Sequence, residues 1–434
     1  MNHPWKVRNI ELSEGVPALP REENVGGLYL VFWWRGTALG HAVIETSQLP
    51  MSACQVEALV LQIIPHVVGN HLFAHGFEAP LPATPLFDYS PPLEEIVAIS
   101  RPLATMQERH AAAPSKATVS LVICTRDRPD DLKRCLAALN DLSMRPLQII
   151  VVDNAPRTGA TRRIVEGMPG IEYVSEPRPG LSRARNAGIA RCRGEIIAFT
   201  DDDVVVHPDW LSGLLRGFDS PDIWAVTGPV FPAELETEAQ RLFQAGHHDF
   251  GWGTHRLIFD RAFFEHTRRI GAPVWRIGAG ANMAFRREVF ERVGGFDERL
   301  GAGASGCSED SELWYRVLAE GGSCRYEPTA AVFHYHRGDL DSLHHQMNHY
   351  LRGHIAALLV QWQRTGHRGN LLRAYGILPA WYGAQVLSWV ARGGHPRGST
   401  LWTQIAGALA GTKFFWQNRS PTPPDGQFKQ HSTN

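Results

Sequence analysis

The sequence predicts an α/β fold built on a mostly parallel sheet, and three observations support this. From about residue 118 onward, short apolar runs alternate with segments of helical periodicity. The run at residues 196–199 is apolar throughout, which is typical of a parallel strand buried on both faces. It leads into three consecutive carboxylates, Asp201, Asp202 and Asp203, and ligands of open α/β sheets lie beyond the carboxyl ends of the strands.

Composition narrows the class of protein. The 434 residues suffice for two or three domains, and 44% hydrophobic with 20% charged residues is typical of a globular protein. A formal net charge of -1 gives no overall field that would attract nucleic acid. The six cysteines show no CxxC pair and no zinc spacing, which is typical of reduced thiols. With no signal-peptide pattern and no clear membrane span, we expect a cytoplasmic protein that does not bind nucleic acid.

The alternation in the central part of the chain indicates a Rossmann-like sheet flanked by helices. Strands are predicted at 119–124, 147–152, 171–174 and 196–199, with helices at 130–142, 161–168 and 180–191 between them. The first strand is not followed by G-x-G-x-x-G, so an NAD site is not supported. Polar side chains follow the strands at Thr125, Arg128 and Asp153. A carboxylate at such a strand end can accept a hydrogen bond from a nucleobase N–H, although Asp153 can also cap a turn.

The three adjacent carboxylates predict a cation site. They repel one another unless a positive charge offsets them, and magnesium and manganese prefer oxygen ligands. The alternative is a solvated acidic turn. An EF-hand is not indicated, because D-x-D-x-D-G with a distal glutamate is missing.

The first 115 residues are predicted to form a small α+β domain and a linker. Residues 28–34 and 39–45 indicate a hairpin, and residues 52–68 an amphipathic helix that Pro65 ends or kinks. We expect Trp33 and Trp34 to pack in a core or on an edge strand rather than to form a binding patch. A proline-rich stretch at 80–92 and an alanine-rich one at 101–116 indicate the linker. The predicted domains are therefore 1–115, 116–338 and 339–434.

Seven segments, taken in order, resemble glycosyltransferase family 2, whose members are inverting enzymes of the GT-A fold. They are SLVICTRDRP at 120–129, IVVDN at 150–154, GLSRARNAG at 180–188, TDDD at 200–203, GAGANMAF at 278–285, GGFD at 294–297 and SEDSEL at 308–313. The resemblance continues to His334 and covers about residues 118–338. Both flanks lie outside it.

The resemblance implies a role for each candidate residue in a transfer from a nucleotide-diphosphate sugar. Asp310 is implied as the general base, with Glu309 as its rival, and Mn²⁺ or Mg²⁺ is implied as a Lewis acid. Arg185, alone or with Arg183, is implied to neutralise the donor diphosphate. The two arginines are two apart on a helix and face differently, so we expect only one to contact the donor. The implied ligands of the donor and the metal are Thr125, Arg128, Asp153, Arg183, Arg185 and Asp202 for the nucleotide sugar, and Asp201, Asp203 and His334 for the cation.

The resemblance also leads to expectations for Asn282 and for residues 301–306. Asn282 lies where the family contacts donor sugar or acceptor, or it caps a turn. The glycine-rich residues 301–306 are predicted to form a loop that closes over the donor.

The resemblance leaves the acceptor open, as a hydroxyl on a growing glycan, a lipid-linked glycan or a small molecule. A sugar-1-phosphate nucleotidylyltransferase would need G-x-G-x-R after the first strand, and residues 125–128 do not match it. A sugar-binding or scaffold protein with this fold is the other alternative, and the joint presence of DDD, ED and a histidine argues against it.

The last hundred residues are predicted to be mostly helical. His345 and His349 are four apart in residues 340–363, but without HExxH an ordinary helix surface is favoured over a metal site. Residues 371–390 and 401–416 are apolar and rich in tryptophan, with Arg373, Arg392 and Lys413 in or beside them. These helices either pack on the catalytic domain or make peripheral contact with the inner face of a membrane, near a lipid-linked acceptor. Residues 420–434 are predicted to be a disordered tail.

Overall fold

A computed structural model describes residues 3–74, 103, 116–245, 254–391 and 401–419. Most of the predicted linker, Arg392 and the predicted tail lie outside these residues.

The strands and helices are numbered in chain order. The strands are β1 (Trp5–Glu11), β2 (Gly27–Trp34), β3 (Thr37–Glu45), β4 (Val119–Thr125), β5 (Gln148–Asn154), β6 (Ile171–Glu176), β7 (Ile196–Asp201), β8 (Val204–Val206), β9 (Ile223–Thr227), β10 (Val230–Pro232), β11 (Leu257–Phe259), β12 (Asn282–Arg286), β13 (Ser323–Tyr326) and β14 (Val332–His334). The helices are α1 (Ala53–Ala74), α2 (Pro129–Ala138), α3 (Ala160–Glu166), α4 (Leu181–Ile189), α5 (Trp210–Gly217), α6 (Glu238–Ala245), α7 (Arg261–Thr267), α8 (Arg287–Val293), α9 (Glu309–Ala319), α10 (Leu340–Thr365), α11 (Gly369–Leu372), α12 (Leu378–Ala391) and α13 (Leu401–Gln417).

The central sheet has eight strands in the order β11-β13-β9-β12-β7-β4-β5-β6. Its β7-β4-β5-β6 half is parallel, β13 is parallel to β9, and β12 runs antiparallel between β7 and β9. Successive side chains of β4 enter opposite cores, because strand residues alternate between faces: Leu121 and Ile123 pack on one side, Val122 on the other. The predicted mixed, mostly parallel sheet flanked by helices is confirmed.

Strand register brings the polar strand ends to one edge of this sheet. Thr125 at the end of β4 lies opposite Asp153 of β5, and Cys124 lies opposite Asp201 of β7. Parallel strands with nearly equal ends deliver their last residues side by side.

The first described residues form a separate three-stranded sheet, β1-β2-β3, covered on one face by α1. The predicted hairpin is confirmed as β2 and β3. Strand β1 was not predicted, because its sequence is rich in polar residues. In the structure it pairs parallel with β2. Of the two alternatives predicted for Pro65, the ending of the helix is wrong, since α1 continues to Ala74 with Pro65 inside it. Burial of Ile64, Val67 and Val68 against the sheet offsets the hydrogen bond that proline cannot donate.

The other face of this sheet packs on the small sheet β10-β14-β8 of the central domain. Trp33 of β2 is buried and stacks on His207, with ring centroids 4.9 Å apart and planes at 10°. Its ring also meets Phe231 edge-on, and its Nε1 donates to Asn9 Oδ1 at 2.9 Å. Trp33 is therefore a core residue between two sheets, as expected.

Helix α10 is joined to the central domain by charge, and α13 packs closely on α10. Arg364 of α10 donates to Asp297, which also accepts two hydrogen bonds from the Arg299 guanidinium. Gly407 and Gly411 of α13 lie against the α10 backbone without room for a Cβ atom. Among the described helices, no segment is long and apolar enough to cross a bilayer.

Trp33→Ala should lower the free energy of unfolding by about 3–5 kcal/mol, because loss of the indole ring leaves a cavity between two sheets. Urea unfolding followed by far-UV circular dichroism measures this. The control is Val43→Ala on the neighbouring strand β3, where the side chain is 52% exposed and the expected change is within about 0.5 kcal/mol. Equal losses in the two variants would contradict the packing of Trp33 between the two sheets.

Candidate active site

The acidic turn after β7 is held by an arginine from the β4 end. Arg128 Nη1 donates to Asp202 Oδ1 at 2.9 Å and to Asp203 Oδ2 at 2.7 Å, and Thr125 Oγ1 donates to Asp202 Oδ2 at 2.7 Å. One guanidinium thus offsets the repulsion between two adjacent buried carboxylates. Burial and the charge of Asp203 raise the pKa of Asp202 to about 6, while Arg128 opposes the rise.

Asp203 also faces a histidine from the neighbouring small sheet. His334 Nε2 lies 3.2 Å from Asp203 Oδ1, because β14 pairs antiparallel with β8 and sets His334 opposite Val204. Burial favours neutral forms of both groups, but their contact prevails: it raises the pKa of His334 and, with Arg128, lowers that of Asp203. His336 lies on the same side, its Nδ1 3.0 Å from His334 Nδ1.

This pair meets part of the requirement for a divalent cation. Asp203 and His334 supply one carboxylate and one imidazole, and a cation shared with a diphosphate often takes only one or two protein carboxylates. No group of three or more His, Cys, Asp or Glu residues able to hold a metal occurs within the residues described. A cation here would therefore need ligands from a bound substrate or from water.

Arg185 of α4 connects the carboxyl end of β7 to the start of helix α9. It is buried, and its guanidinium pairs with Glu309 and, at 3.2 Å, with Asp201 Oδ1. The carbonyl of Gly280 accepts a third bond from Arg185 at 3.2 Å. A Cβ at Gly280 would lie 3.0 Å from the Arg185 guanidinium and 3.1 Å from Asp310 Oδ2, so glycine permits this close approach.

The two acids at the start of α9 have different surroundings. Glu309 is ion-paired with Arg185, whereas Asp310 makes no ion pair in the described part of the chain and accepts from Ser311 N at 2.6 Å. Burial raises the pKa of Glu309 and of Asp310, and the Arg185 charge opposes the rise in both. Of the two, Asp310 is the acid whose carboxylate is not engaged by a cationic side chain.

Asp153 is buried near the end of β5, and its two carboxylate oxygens differ in their hydrogen bonding. Its Oδ2 accepts from the Tyr173 hydroxyl at 3.0 Å, while its buried Oδ1 has no hydrogen-bond partner among the described residues. Burial raises the pKa of Asp153. An unsatisfied buried acceptor is costly and is suited to a ligand N–H.

The expectation that Asn282 contacts donor or acceptor is not supported by the geometry. Asn282 is fully buried, accepts from Trp210 Nε1 at 2.8 Å, and donates to the carbonyls of Pro229 at 3.1 Å and Ala330 at 2.7 Å. Its amide is used within the core, because it satisfies the only polar atom of the buried Trp210 side chain.

Comparison with known proteins supports the resemblance. The family described as "Glycosyl transferase family 2" matches residues 120–294. The succinoglycan biosynthesis protein ExoM of Rhizobium meliloti (strain 1021) is 31% identical over 278 residues, which are 61% of this chain and 78% of that protein.

The chain belongs to glycosyltransferase family 2.

A further relative matches over a shorter share of its length, and one solved structure matches over most of its length. The pre-mycofactocin glycosyltransferase of Mycobacterium tuberculosis (strain CDC 1551 / Oshkosh) is 30% identical over 235 residues, 54% of this chain but only 46% of that protein. A solved mannosyltransferase from Pyrobaculum calidifontis in complex with GDP-Man and Mn2+ gives a TM-score of 0.48 at 17% identity, covering 72% of this chain and 93% of that one. A structural similarity this low does not indicate which substrate the present chain binds.

Most of the predicted site residues of this family 2 chain meet at one edge of the sheet. Thr125, Arg128, Asp202, Asp203 and His334 form one connected group, and Arg185 joins Asp201 to Glu309 of α9. Arg183 lies apart from both groups and pairs with Glu298 at 3.2 Å. The roles assigned to these residues stay predictions.

The pairing of Arg185 with Glu309 was not foreseen, although the sequence held a signal for it. Arg185 shares its helix face with Ser182, Gly188 and Ile189, all small or apolar and all buried. A cation on such a face needs an acid from elsewhere in the chain, because an unpaired buried charge is very costly. The partner lies 124 residues away, so local patterns do not identify it.

Arg185→Met should lower the free energy of unfolding by about 3–5 kcal/mol, since it leaves Glu309 and Asp201 without their cation. The matched control is Arg183→Met, two residues along the same helix, with an expected loss of about 0–1 kcal/mol for a partly exposed pair. Urea unfolding of both variants provides the comparison. The assignment of Arg185 as the internal counter-ion does not survive if the Arg183 variant loses as much as the Arg185 variant.

Proposed function

We propose that this chain is an inverting glycosyltransferase that moves a sugar from a nucleotide-diphosphate donor to a hydroxyl acceptor. The observation that carries the proposal is the Arg185 bridge. It joins the acidic strand end, through Asp201, to the helix that begins with Glu309 and Asp310. A donor bound beyond the strand ends would then have an acid without a cationic partner on its acceptor side.

The nucleotide would bind at the ends of β4 and β5. Asp153 Oδ1, buried without a partner among the described residues, is suited to accept from a nucleobase N–H. Thr125, Arg128 and Asp202 would position the ribose and the adjoining part of the donor. Of the two helix α4 arginines, Arg183 is the better candidate for the diphosphate, since its side chain is 32% exposed while Arg185 is 2% exposed and held by two acids.

A divalent cation, Mn²⁺ or Mg²⁺, is proposed at the acidic turn. Asp203 and His334 would hold it, with Asp201 as the further ligand predicted from the sequence. When bound, the cation supplies Lewis-acid stabilisation of the leaving nucleoside diphosphate.

Asp310 is proposed as the general base. As the acceptor hydroxyl oxygen attacks the anomeric carbon, its proton passes to the Asp310 carboxylate and the bond to the nucleoside diphosphate breaks. Glu309 cannot easily do this, because it is the counter-ion of Arg185.

The acceptor is proposed as a hydroxyl on a glycan, a lipid-linked glycan or a small molecule. The names of the relatives concern succinoglycan biosynthesis in one case and pre-mycofactocin in another. Since these differ, they support the transfer of a sugar and not a particular acceptor.

Asp310→Asn should abolish transfer while leaving donor binding near the wild-type level. Asparagine keeps the shape but cannot take a proton, so the single-turnover rate should fall by at least about 10²–10⁴-fold. Burial raises the pKa of Asp310, so wild-type activity should fall on acidification at a higher pH than for an ordinary aspartate. That limb should vanish in any residual activity of the variant.

The matched variant is Glu309→Gln, and both variants are assayed with a panel of nucleotide-diphosphate sugars and candidate acceptors. A Glu309→Gln enzyme that is folded but inactive, beside an Asp310→Asn enzyme that is nearly intact, would reverse the two roles. Release of nucleoside diphosphate without acceptor monitors donor hydrolysis separately.

Asp203→Ala should weaken nucleotide binding only in the presence of metal. Losing a direct ligand should cost more than the about 10–100-fold in metal affinity that loss of an outer partner costs. Calorimetric titration of UDP and of GDP with Mn²⁺ measures the effect. The same titrations with a chelator form the control, in which variant and wild type should agree. Unchanged affinity with Mn²⁺ would remove Asp203 from the metal site.

A further inference from the structure

The C-terminal part of the chain is strongly basic, although the whole protein is nearly neutral. Residues 342–424 contain no aspartate and no glutamate, while the formal net charge of all 434 residues is -1. The stretch contains eight basic residues: Arg352, Arg364, Arg368, Arg373, Arg392, Arg397, Lys413 and Arg419. A charge asymmetry of this kind points to an anionic partner.

Helix α13 exposes an apolar stripe where a surface helix normally carries polar residues. Its buried side, with Gly407, Gly411 and Phe415, packs on α10. The opposite side consists of residues spaced four, three, four and three apart, all exposed: Trp402, Ala406, Leu409, Lys413 and Trp416. One lysine is the only charge on this stripe.

The preceding helix continues the same character. α11, a π turn at Arg373–Ile377 and α12 run without a break, and no charged residue occurs from 374 to 391. Leu372, Tyr375, Trp381 and Leu387 are exposed along it. The rings of Trp389 and Trp402 meet at 6.1 Å, so the α12 end adjoins the exposed stripe of α13.

We propose that the exposed faces of α12 and α13, which we call the tryptophan face, bind the surface of an anionic lipid bilayer. The described helices are too short or too polar to span a membrane, so the face would lie in the headgroup region. Tryptophan is favoured at that depth, and the Arg419 guanidinium stacks on Trp416 with 5.1 Å to the ring centroid, which puts a cation beside an apolar anchor.

A second copy of the chain is a poorer occupant of the tryptophan face. Two copies would bring basic segments together without an acid between residues 342 and 424 to pair with them, and like charges across an interface are costly. Anionic lipid headgroups supply the missing negative charge, at about 1 kcal/mol for each basic residue near the surface.

The tryptophan face lies one helix away from the acid pair. α10 contacts α13 on one side, and on the other Gly353 and His349 lie against residues 306 and 307, just before Glu309. If the proposed transfer at Asp310 holds, a bilayer on this face would favour an acceptor hydroxyl carried by a lipid. This last step rests on the proposed function, whereas the binding of the bilayer does not.

The test is co-sedimentation of the full chain with vesicles of phosphatidylcholine alone and of phosphatidylcholine mixed with phosphatidylglycerol. We expect binding to the mixed vesicles, weakened by added salt, and little binding to phosphatidylcholine alone. Lys413→Glu with Arg419→Glu should reduce the partition coefficient by at least about fivefold per residue. The control is Arg191→Glu with Arg193→Glu, which makes the same charge change near the amino-terminal ends of β4 and β7. This control variant should keep most of the binding.

A matched pair of leucines tests the apolar part. Leu409→Glu and Leu147→Glu each replace an exposed leucine by glutamate; the exposed fractions are 71% for Leu409 and 54% for Leu147. Only Leu409→Glu should abolish binding to the vesicles. Trp402→Ala with Trp416→Ala, which adds no charge, should weaken binding as well. Circular dichroism and nucleotide binding should be unaltered in all of these variants.

Two results would overturn the proposal. One is a loss of the distinction between lipid and variant controls, seen either as equal binding of the Leu409 and Leu147 variants or as equal binding to anionic and neutral vesicles. The other is a dimer in vesicle-free solution that Leu409→Glu dissociates, which would make a second copy the occupant. Because vesicle binding is read without donor or acceptor, a failure of the proposed transfer leaves this result independent.

Discussion

The buried guanidinium of Arg185 is the constraint on which the candidate site depends. A cation without access to water has to be paired, and its partners come from the β7 end and from the start of α9. The pairing joins two parts of the chain that no strand ladder connects. It also divides the work of the ED pair, since Glu309 neutralises Arg185 and Asp310 keeps its carboxylate available. Gly280 allows this arrangement, because a side chain there would press on both Arg185 and Asp310.

The flanking segments support the site without supplying its chemistry. The N-terminal sheet packs Trp33 on His207, four residues after Asp203, and on the small sheet that bears His334. On the other side, α10 packs against the residues that lead into Glu309. Both ends of the proposed donor site are therefore backed by segments outside the family match, and changes there can act on the site through packing alone.

Charge is distributed along the chain according to the proposed tasks. Acids and arginines near the strand ends neutralise one another in pairs, as Arg128 does with Asp202 and Asp203. The C-terminal helices instead accumulate basic residues and expose apolar ones. A chain of nearly zero net charge thus carries one locally balanced region and one locally basic region.

Sequence patterns alone predict the α/β class, the four strands β4 to β7 and the edge at which the polar residues meet. These follow from periodicity, and parallel strands deliver their ends to one side whatever the details of packing. The remaining features depend on the tertiary structure. Among these features, the Asn282 side chain accepts a hydrogen bond from Trp210, α1 continues through Pro65, and Arg185 pairs with Glu309. Each of these depends on contacts between residues distant in the chain, where burial and charge compensation outweigh local preference, and no local pattern contains that information.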